Sequence, residues 1–379
     1  MRTSLTSLVL LLFTLVDASG TPLPPAATGD VYLSSYGTDE VHCYDRLGSH
    51  LFEFTHADLD QPRGLAFSPE RELYVASQKN HKVLVFEPNG NYLRQFSDGE
   101  LQGPTSVAFG PDGKLYVSSF GNDKVIVFAE EVYDGEFTGT GLNGPNCIAF
   151  APTGDIYVAS QLSNQVYRFD SSGVPFAPSS FDGGGLWSPM GIALNPSGAG
   201  GDPELYVTGG ASHSIVVFNL EGEYLRKIQG SSQDPVINGP QGIAFDESGN
   251  FSVSSFYEGS MALYSSDGTL LHVFADSGVR TARSIAFFPF RPGEPFLRGD
   301  FNEDGNLDLS DAVATLGELF LGVHASYCDD AADSNDDGIL DLSDPVYTLT
   351  YLFTGGPPPL PPHPEAGSDP TEDDLDCWE

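Results

Sequence analysis

The chain has 379 residues, with 53 acidic against 16 basic side chains and a formal net charge of −37. That length admits two or three domains with a sizeable core. The charge excludes nucleic acid and anionic membrane surfaces as natural partners, because phosphate binding needs clustered Lys and Arg, and it favours divalent cations instead.

Apolar residues make up 40% of the chain, which rules out wholesale disorder, while 43 glycines, 28 prolines and only 18% charged residues suit a turn-rich all-β protein. The N-terminus has the pattern of an export signal: Arg2, an apolar run from Leu8 to Val16, then Val16-Asp17-Ala18 for cleavage after Ala18. The run falls short of the roughly 20 apolar residues that span a bilayer. Residues 1–18 are therefore expected to be a signal peptide and 19–28 a Pro-rich linker. The mature protein is expected to be secreted or held at the cell surface, with no membrane span.

The middle of the chain repeats one unit. Gln61-Pro-Arg-Gly-Leu-Ala-Phe67 returns as Gly103-Pro-Thr-Ser-Val-Ala-Phe109, Gly144-Pro-Asn-Cys-Ile-Ala-Phe150 and Ser188-Pro-Met-Gly-Ile-Ala-Leu194. Two more copies are Gly239-Pro-Gln-Gly-Ile-Ala-Phe245 and Thr281-Ala-Arg-Ser-Ile-Ala-Phe287. Alanines 66, 108, 149, 193, 244 and 286 are spaced by 42, 41, 44, 51 and 42 residues. A turn, two short apolar strands, a Gly-containing turn and a last apolar strand follow each copy except the last. Four strands per period of this length is the pattern of a β-propeller blade. Asp30-Val-Tyr-Leu33 starts in the register of a second strand, and Ser284-Ile-Ala-Phe287 is an orphan first strand. Pairing them closes a ring of six blades and removes the sheet edges.

The Pro-x-Gly-Ile-Ala-Phe, Leu-Tyr-Val-Ala-Ser and Asn80-His-Lys-Val83 elements resemble NHL repeats, over residues 29–290. The family usually places Asp where this chain has Ser77, Ser119 and Ser160. His81 shares its inter-strand turn with Asp123 and Asn164 in later blades, so a structural role is expected for it.

Strand geometry puts two sets of residues at one mouth of the central channel. The residues after each repeat proline are Arg63, Thr105, Asn146, Met190 and Gln241, with Arg283 at the equivalent place. Those just after each second strand are Tyr36, Gln78, Phe120, Gln161, Gly210 and Phe256. Similar propellers serve as amidating lyases, streptogramin lyases and lactonases, and that resemblance implies His, Glu, Asp or Asn at such positions. Neither set holds a His or a carboxylate, and Asn146 alone is too little to hold a metal, so no catalytic residue is assigned. Aromatic rings, amides and two arginines suit stacking on a polar ligand. Arg63 and Arg283 are expected either to receive an anionic group of a glycan or peptide, or to pair with nearby Asp residues.

From Asp300 to the end there are 20 acidic residues and no Lys or Arg. Two loops recur 33 residues apart. The first carries Asp300, Asn302, Asp304, Asn306, Asp308 and Asp311; the second carries Asp333, Asn335, Asp337, Ile339, Asp341 and Asp344. These are positions 1, 3, 5, 7, 9 and 12 of a 12-residue calcium loop, with Gly305 and Gly338 at the turn and Asn306 and Ile339 offering backbone carbonyls. Two Ca²⁺ ions are expected. Each loop runs into a helix with apolar spacing, Val313, Leu316 and Phe320 or Val346, Leu349 and Phe353, with Ser310 and Ser343 as N-caps. No helical pattern precedes either loop. Loop then helix, twice, resembles a type I dockerin over residues 296–356. That resemblance implies a cohesin-like module or a cell-surface scaffold as partner. Cellulosomal dockerins commonly carry Ser-Thr at loop positions 10 and 11, where this chain has Leu309-Ser310 and Leu342-Ser343, so a divergent partner is expected.

Of the four cysteines, Cys328 and Cys377 are expected to bridge and clasp the tail, and Cys43 and Cys147 to be small buried hydrophobes. The domain reading is a propeller (29–290), a linker (291–298), a small helical calcium module (299–356) and a Pro-rich acidic tail (357–379). The function that follows is an exported, monomeric binding protein whose module attaches it to its partner. The alternative is a propeller lyase or hydrolase, lactonase-like, in an extracellular polysaccharide-degrading assembly.

Overall fold

The computed structural model describes residues 30–45, 48–97, 100–196, 201–229, 237–246, 249–274, 278–289, 296–302, 305–321 and 328–367. The expected signal peptide and first linker, and also Asp304 and Cys377, lie outside the described residues. Six four-stranded antiparallel sheets form the ring. The closing sheet runs β24 (Ala282–Phe287), β1 (Val31–Ser35), β2 (Glu40–Tyr44) and β3 (His50–Phe54). The next two are β4 (Pro62–Phe67) to β7 (Tyr92–Phe96), and β8 (Pro104–Phe109) to β11 (Val132–Phe137). Then come β12 (Pro145–Phe150) to β15 (Pro175–Phe181), β16 (Pro189–Asn195) to β19 (Tyr224–Gln229), and β20 (Pro240–Phe245) to β23 (Leu270–Phe274). First strands neighbour one another around the axis from β4 through β8, β12, β16, β20 and β24 back to β4.

Closure is the expected one. Val31 pairs with Phe287, Tyr32 with Ala286 and Leu33 with Ile285, so both ends of the repeat region share a sheet. Second strands such as Leu73–Ser77 are buried along their whole length, as at Leu115–Ser119 and Ile156–Ser160. Each lies between two neighbouring blades, which is why these segments read as continuous apolar runs and not as alternating ones. The outer strands differ from the apolar expectation: Tyr92, Leu93, Tyr224 and Leu225 are exposed, because the circumference of the ring faces water.

Blades are joined by a repeated aromatic contact. The second-strand tyrosine meets the phenylalanine that ends the next blade's first strand, edge to face. Tyr32–Phe67 and Tyr74–Phe109 have centroids 5.0 Å apart, Tyr116–Phe150 and Tyr206–Phe245 4.9 Å. Each such pair contributes about 0.5–1.5 kcal/mol beyond area burial. A polar latch runs alongside. Asp39, His81, Asp123, Asn164 and His213, all at positive φ, accept the backbone N–H of the next blade's residue before proline. Those donors are Gln61, Gly103, Gly144, Ser188 and Gly239, at 2.7–2.9 Å. His81 accepts through Nδ1, which makes it a structural latch. Ser77, Ser119 and Ser160 are also structural: their buried Oγ atoms accept the N–H groups of Asp60, Gln102 and Asn143 at 2.8–2.9 Å.

Beyond the ring, α1 (Leu309–Leu321), α2 (Asp329–Ala332) and α3 (Ser343–Thr354) follow. Phe301, Ala314 and Ala332 form a small core. Arg298, fully buried, donates to the carbonyls of Pro361, Asp330 and Asp333 and pairs with Asp336 at 2.9 Å. Phe296 bridges Gly367. Residues read as linker and tail thus take part in this unit. The expected serine caps are also corrected: Ser343 begins α3, Leu342 stands at its N-cap without a side-chain cap bond, and Ser310 lies inside α1. Asp308 and Asp341 instead accept the N–H of Ser310 and Ser343 at 2.7 Å. Among the described residues no helix is long and apolar enough to cross a membrane.

Close approach of the first strands is checked at Gly242, where an added Cβ would stand 2.5 Å from the Arg283 carbonyl oxygen. Gly242→Ala is expected to lose about 1–3 kcal/mol in chemical unfolding, the usual cost of overpacking.

Candidate functional site

The turn into each first strand fixes the site. The residue that opens each repeat copy, before proline in five blades and before Ala282 in the sixth, holds a left-handed φ: 58° at Gln61, 61° at Gly103, 63° at Gly144, 53° at Ser188, 70° at Gly239 and 56° at Thr281. Its carbonyl accepts the N–H of the residue just after the second strand, Gln78, Phe120, Gln161, Gly210 and Phe256 in turn, with Tyr36 bonded to Thr281. Every turn therefore aims two side chains at the same end of the axis.

All six residues of the first predicted set, Arg63, Thr105, Asn146, Met190, Gln241 and Arg283, line one axial cavity of about 30 Å³. That volume holds a water or two, so a larger ligand must sit above it and send in only a small group. The second set forms a shelf around the first. Tyr36 and Phe256 sandwich the Arg283 guanidinium, each ring centroid 4.6 Å from its Cζ. Gln161 Oε1 accepts from Asn146 Nδ2 at 2.7 Å. At Gly210 an added Cβ would meet Met190 Cγ at 2.9 Å, so the missing side chain leaves space for Met190. Phe120 lies against Gly144 and Gln78 beside Gly103, further out on the shelf. Cys147 is corrected here: it is half-buried in the channel wall, whereas Cys43 is a fully buried core residue; both carry free thiols.

Two cations face this cavity, Arg63 buried and Arg283 half-buried. Arg63 is 7% exposed, and Arg283 donates to Gln241 Oε1 while its Nε is buried with no hydrogen-bond partner. Among the described residues the arginines in ion pairs are Arg94, Arg168, Arg226 and Arg298. Arg63 and Arg283 are not among them, so the expectation that each pairs with a nearby Asp is not met. Burial, then the positive charge of Arg283, pushes Arg63 down to about 9; burial lowers Arg283 to about 10. Both remain charged at neutral pH, side by side.

Sequence reasoning missed an apolar crown next to this shelf. Leu162, Trp187 and Tyr257 are 55%, 62% and 64% exposed. Leu162 and Tyr257 directly follow shelf residues, and Trp187 lies two before a repeat proline, so the same turn register marks all three.

In the C-terminal loops, the two copies have matching bonds. Gly305 N–H donates to Asp300 Oδ2 and Gly338 N–H to Asp333 Oδ2, at 2.9 and 2.8 Å. Asp308 and Asp341 donate through N–H to Asp311 and Asp344 at 2.7 and 2.8 Å. Asp300, Asp311, Asp333 and Asp344 are all buried. Burial, with the neighbouring Asp333 charge, pushes Asp344 up to about 7. Asn335 Oδ1 and Asp344 Oδ1 are buried oxygens with no hydrogen-bond partner. The apolar helix positions are in part outward: Val313, Phe320, Val346 and Phe353 are exposed, together with Leu309 and Leu342.

No family model and none of the curated proteins matches the chain. Among solved structures it is similar to one titled as the nidogen/laminin complex, at 14% identity over 68% of this chain and 98% of that chain, TM-score 0.57. It is also similar to a protein of unknown function from Bacteroides caccae, at 13% identity over 69% and 98%, TM-score 0.53. A catalytically inactive virginiamycin B lyase from Staphylococcus aureus with quinupristin matches at 12% identity over 66% and 86%, TM-score 0.49. At these identities the likeness shows the propeller fold alone.

An uncompensated buried charge costs folding energy. For Arg63 the folded pKa lies below the unfolded one, so the cost is fully present below about pH 9 and is relieved as pH rises above it. Arg63→Met is therefore expected to raise the thermal midpoint at pH 7, with the gain shrinking above pH 9; a lowered midpoint would show that the cation is compensated.

Proposed function

We propose that the protein is an exported binding protein: the propeller mouth receives an anionic group, and the C-terminal unit attaches the chain to a partner. The observation that carries the reading is the pair of charged guanidinium groups on the axis, Arg63 buried and Arg283 half-buried, with no carboxylate paired to either among the described residues, in a chain of net charge −37. A carboxylate or sulfate entering the cavity neutralises both and gains charge-assisted hydrogen bonds. Tyr36, Phe256, Trp187 and Tyr257 then offer ring faces for the rest of a glycan or peptide.

The C-terminal loops bind two Ca²⁺ ions in this reading. The donors are all oxygens, as a hard cation prefers: Asp300, Asn302, Asp304, Asn306, Asp308 and Asp311 in one loop, Asp333, Asn335, Asp337, Ile339, Asp341 and Asp344 in the other. The partnerless oxygens of Asn335 and Asp344 support a cation between them. The outward stripe of Leu309, Val313 and Phe320, repeated as Leu342, Val346 and Phe353, supports a cohesin-like or scaffold partner that meets an apolar face in place of the hydroxyl pair of cellulosomal dockerins. Cys328 is buried, and a Cys328–Cys377 bridge belongs to the same proposal.

Galacturonate and sulfate are the probes for the mouth, with neutral galactose as the control. Titration calorimetry is expected to show binding of the anions only. Arg63→Gln with Arg283→Gln is expected to weaken it about 100-fold or more, since hydrogen bonds to charged groups contribute about 1.5–3 kcal/mol each. Unchanged affinity in the double variant would sink the reading. For the loops, calcium titration of the full chain is expected to give two ions, and Asp333→Asn with Asp344→Asn to leave one.

A further inference from the structure

A second cluster lies away from the channel mouth, on the sheet that closes the ring. His42 on β2 stands directly opposite Glu53 on β3 in the antiparallel register, so both side chains share one face. His50, three residues before Glu53, would point the other way in a regular strand. A bulge between Cys43 and Tyr44 skips Leu51 and sets His50 opposite Tyr44, which shares the face of His42. The bulge thus turns His50 onto the side that His42 and Glu53 occupy, the re-aiming that bulges commonly provide. One ligand atom from each of His42, His50 and Glu53 lies within 4.8 Å of the others.

We propose that His42, His50 and Glu53 form a binding site for a borderline-soft divalent metal, Zn²⁺ in the first place. Two imidazoles and one carboxylate are a familiar zinc donor set, and they disfavour Ca²⁺, which takes oxygen ligands. Bonds near 2.05 Å around a tetrahedral ion put neighbouring ligand atoms about 3.4 Å apart. One edge of that tetrahedron is already present: His50 Nε2 lies 3.2 Å from Glu53 Oε2. The fourth position of the tetrahedron is left to water. His42 is 2% exposed and anchored in the sheet, while His50 and Glu53 are exposed. The buried ligand is therefore fixed and the other two have room to close on the ion. The Tyr44 ring stands edge-on to His50, centroids 5.4 Å apart, and walls one side. A metal here would tie the outer strand β3 to β2 in the one blade built from both ends of the propeller.

The test is zinc titration of the full chain in saturating Ca²⁺, which occupies the oxygen-donor loops, together with Co²⁺ absorption in the visible. One Zn²⁺ per chain and intense four-coordinate Co²⁺ bands are expected. His50→Gln and Glu53→Gln, both at exposed positions, are each expected to weaken zinc about tenfold or more and to abolish the bands, with calcium binding unchanged. Absence of zinc binding in the parent chain would overturn the proposal, and so would affinities in both variants equal to the parent's.

Discussion

Ring closure is the constraint on which the rest depends. Each second strand is buried on both faces between neighbouring blades, so no blade covers its own apolar surface, and the set is stable only when the last blade meets the first. The pairing of β24 with β1 supplies that meeting. The edge-to-face Tyr–Phe contacts and the latches from Asp39, His81, Asp123, Asn164 and His213 then set one blade against the next at repeated distances. At the sixth position the latch residue is Gly259, which has no side chain; this seam adjoins the blade that the strand pairing itself completes.

Closure also creates the candidate site. Six first strands converge on the axis, and each brings the residue after its proline to the same level. Packing there is tight enough that glycine is needed at Gly64 and Gly242, and the space left is small. Into it the chain places Arg63 and Arg283, neither paired with a carboxylate among the described residues. Arg283 is held between two aromatic faces and against Gln241, an arrangement that fixes the guanidinium and offsets part of its burial cost without neutralising its charge. In the proposed reading, that geometry is preorganised for an anion.

The C-terminal unit solves a different problem. Among the described residues its core is a small cluster of Phe301, Ala314 and Ala332 with Leu340 against it, and units of this size usually need more than burial to hold a fold. Arg298 compensates by donating to carbonyls from three places in the chain, and cations in the two loops would neutralise carboxylates that are otherwise crowded together. Removing such a buried, multiply bonded charge typically costs about 3–5 kcal/mol. The apolar residues of α1 and α3 are then free to face outward.

The sequence by itself determined the repeat, the blade number and the closing strand pair, because period and register are local properties of the chain. It also named the six axial residues, since a fixed offset from each proline becomes a fixed height on the axis. Tertiary structure alone decided what those residues meet: that Arg63 and Arg283 lack carboxylate partners, that Cys147 lies in the channel wall, and that the bulge before Tyr44 brings His50 to His42 and Glu53. Arg298 was passed over as linker because its acceptors, at Pro361, Asp330 and Asp333, are more than thirty positions away. The helix stripes were legible as apolar, but whether an apolar stripe faces a core or a partner depends on what the rest of the chain leaves to cover it.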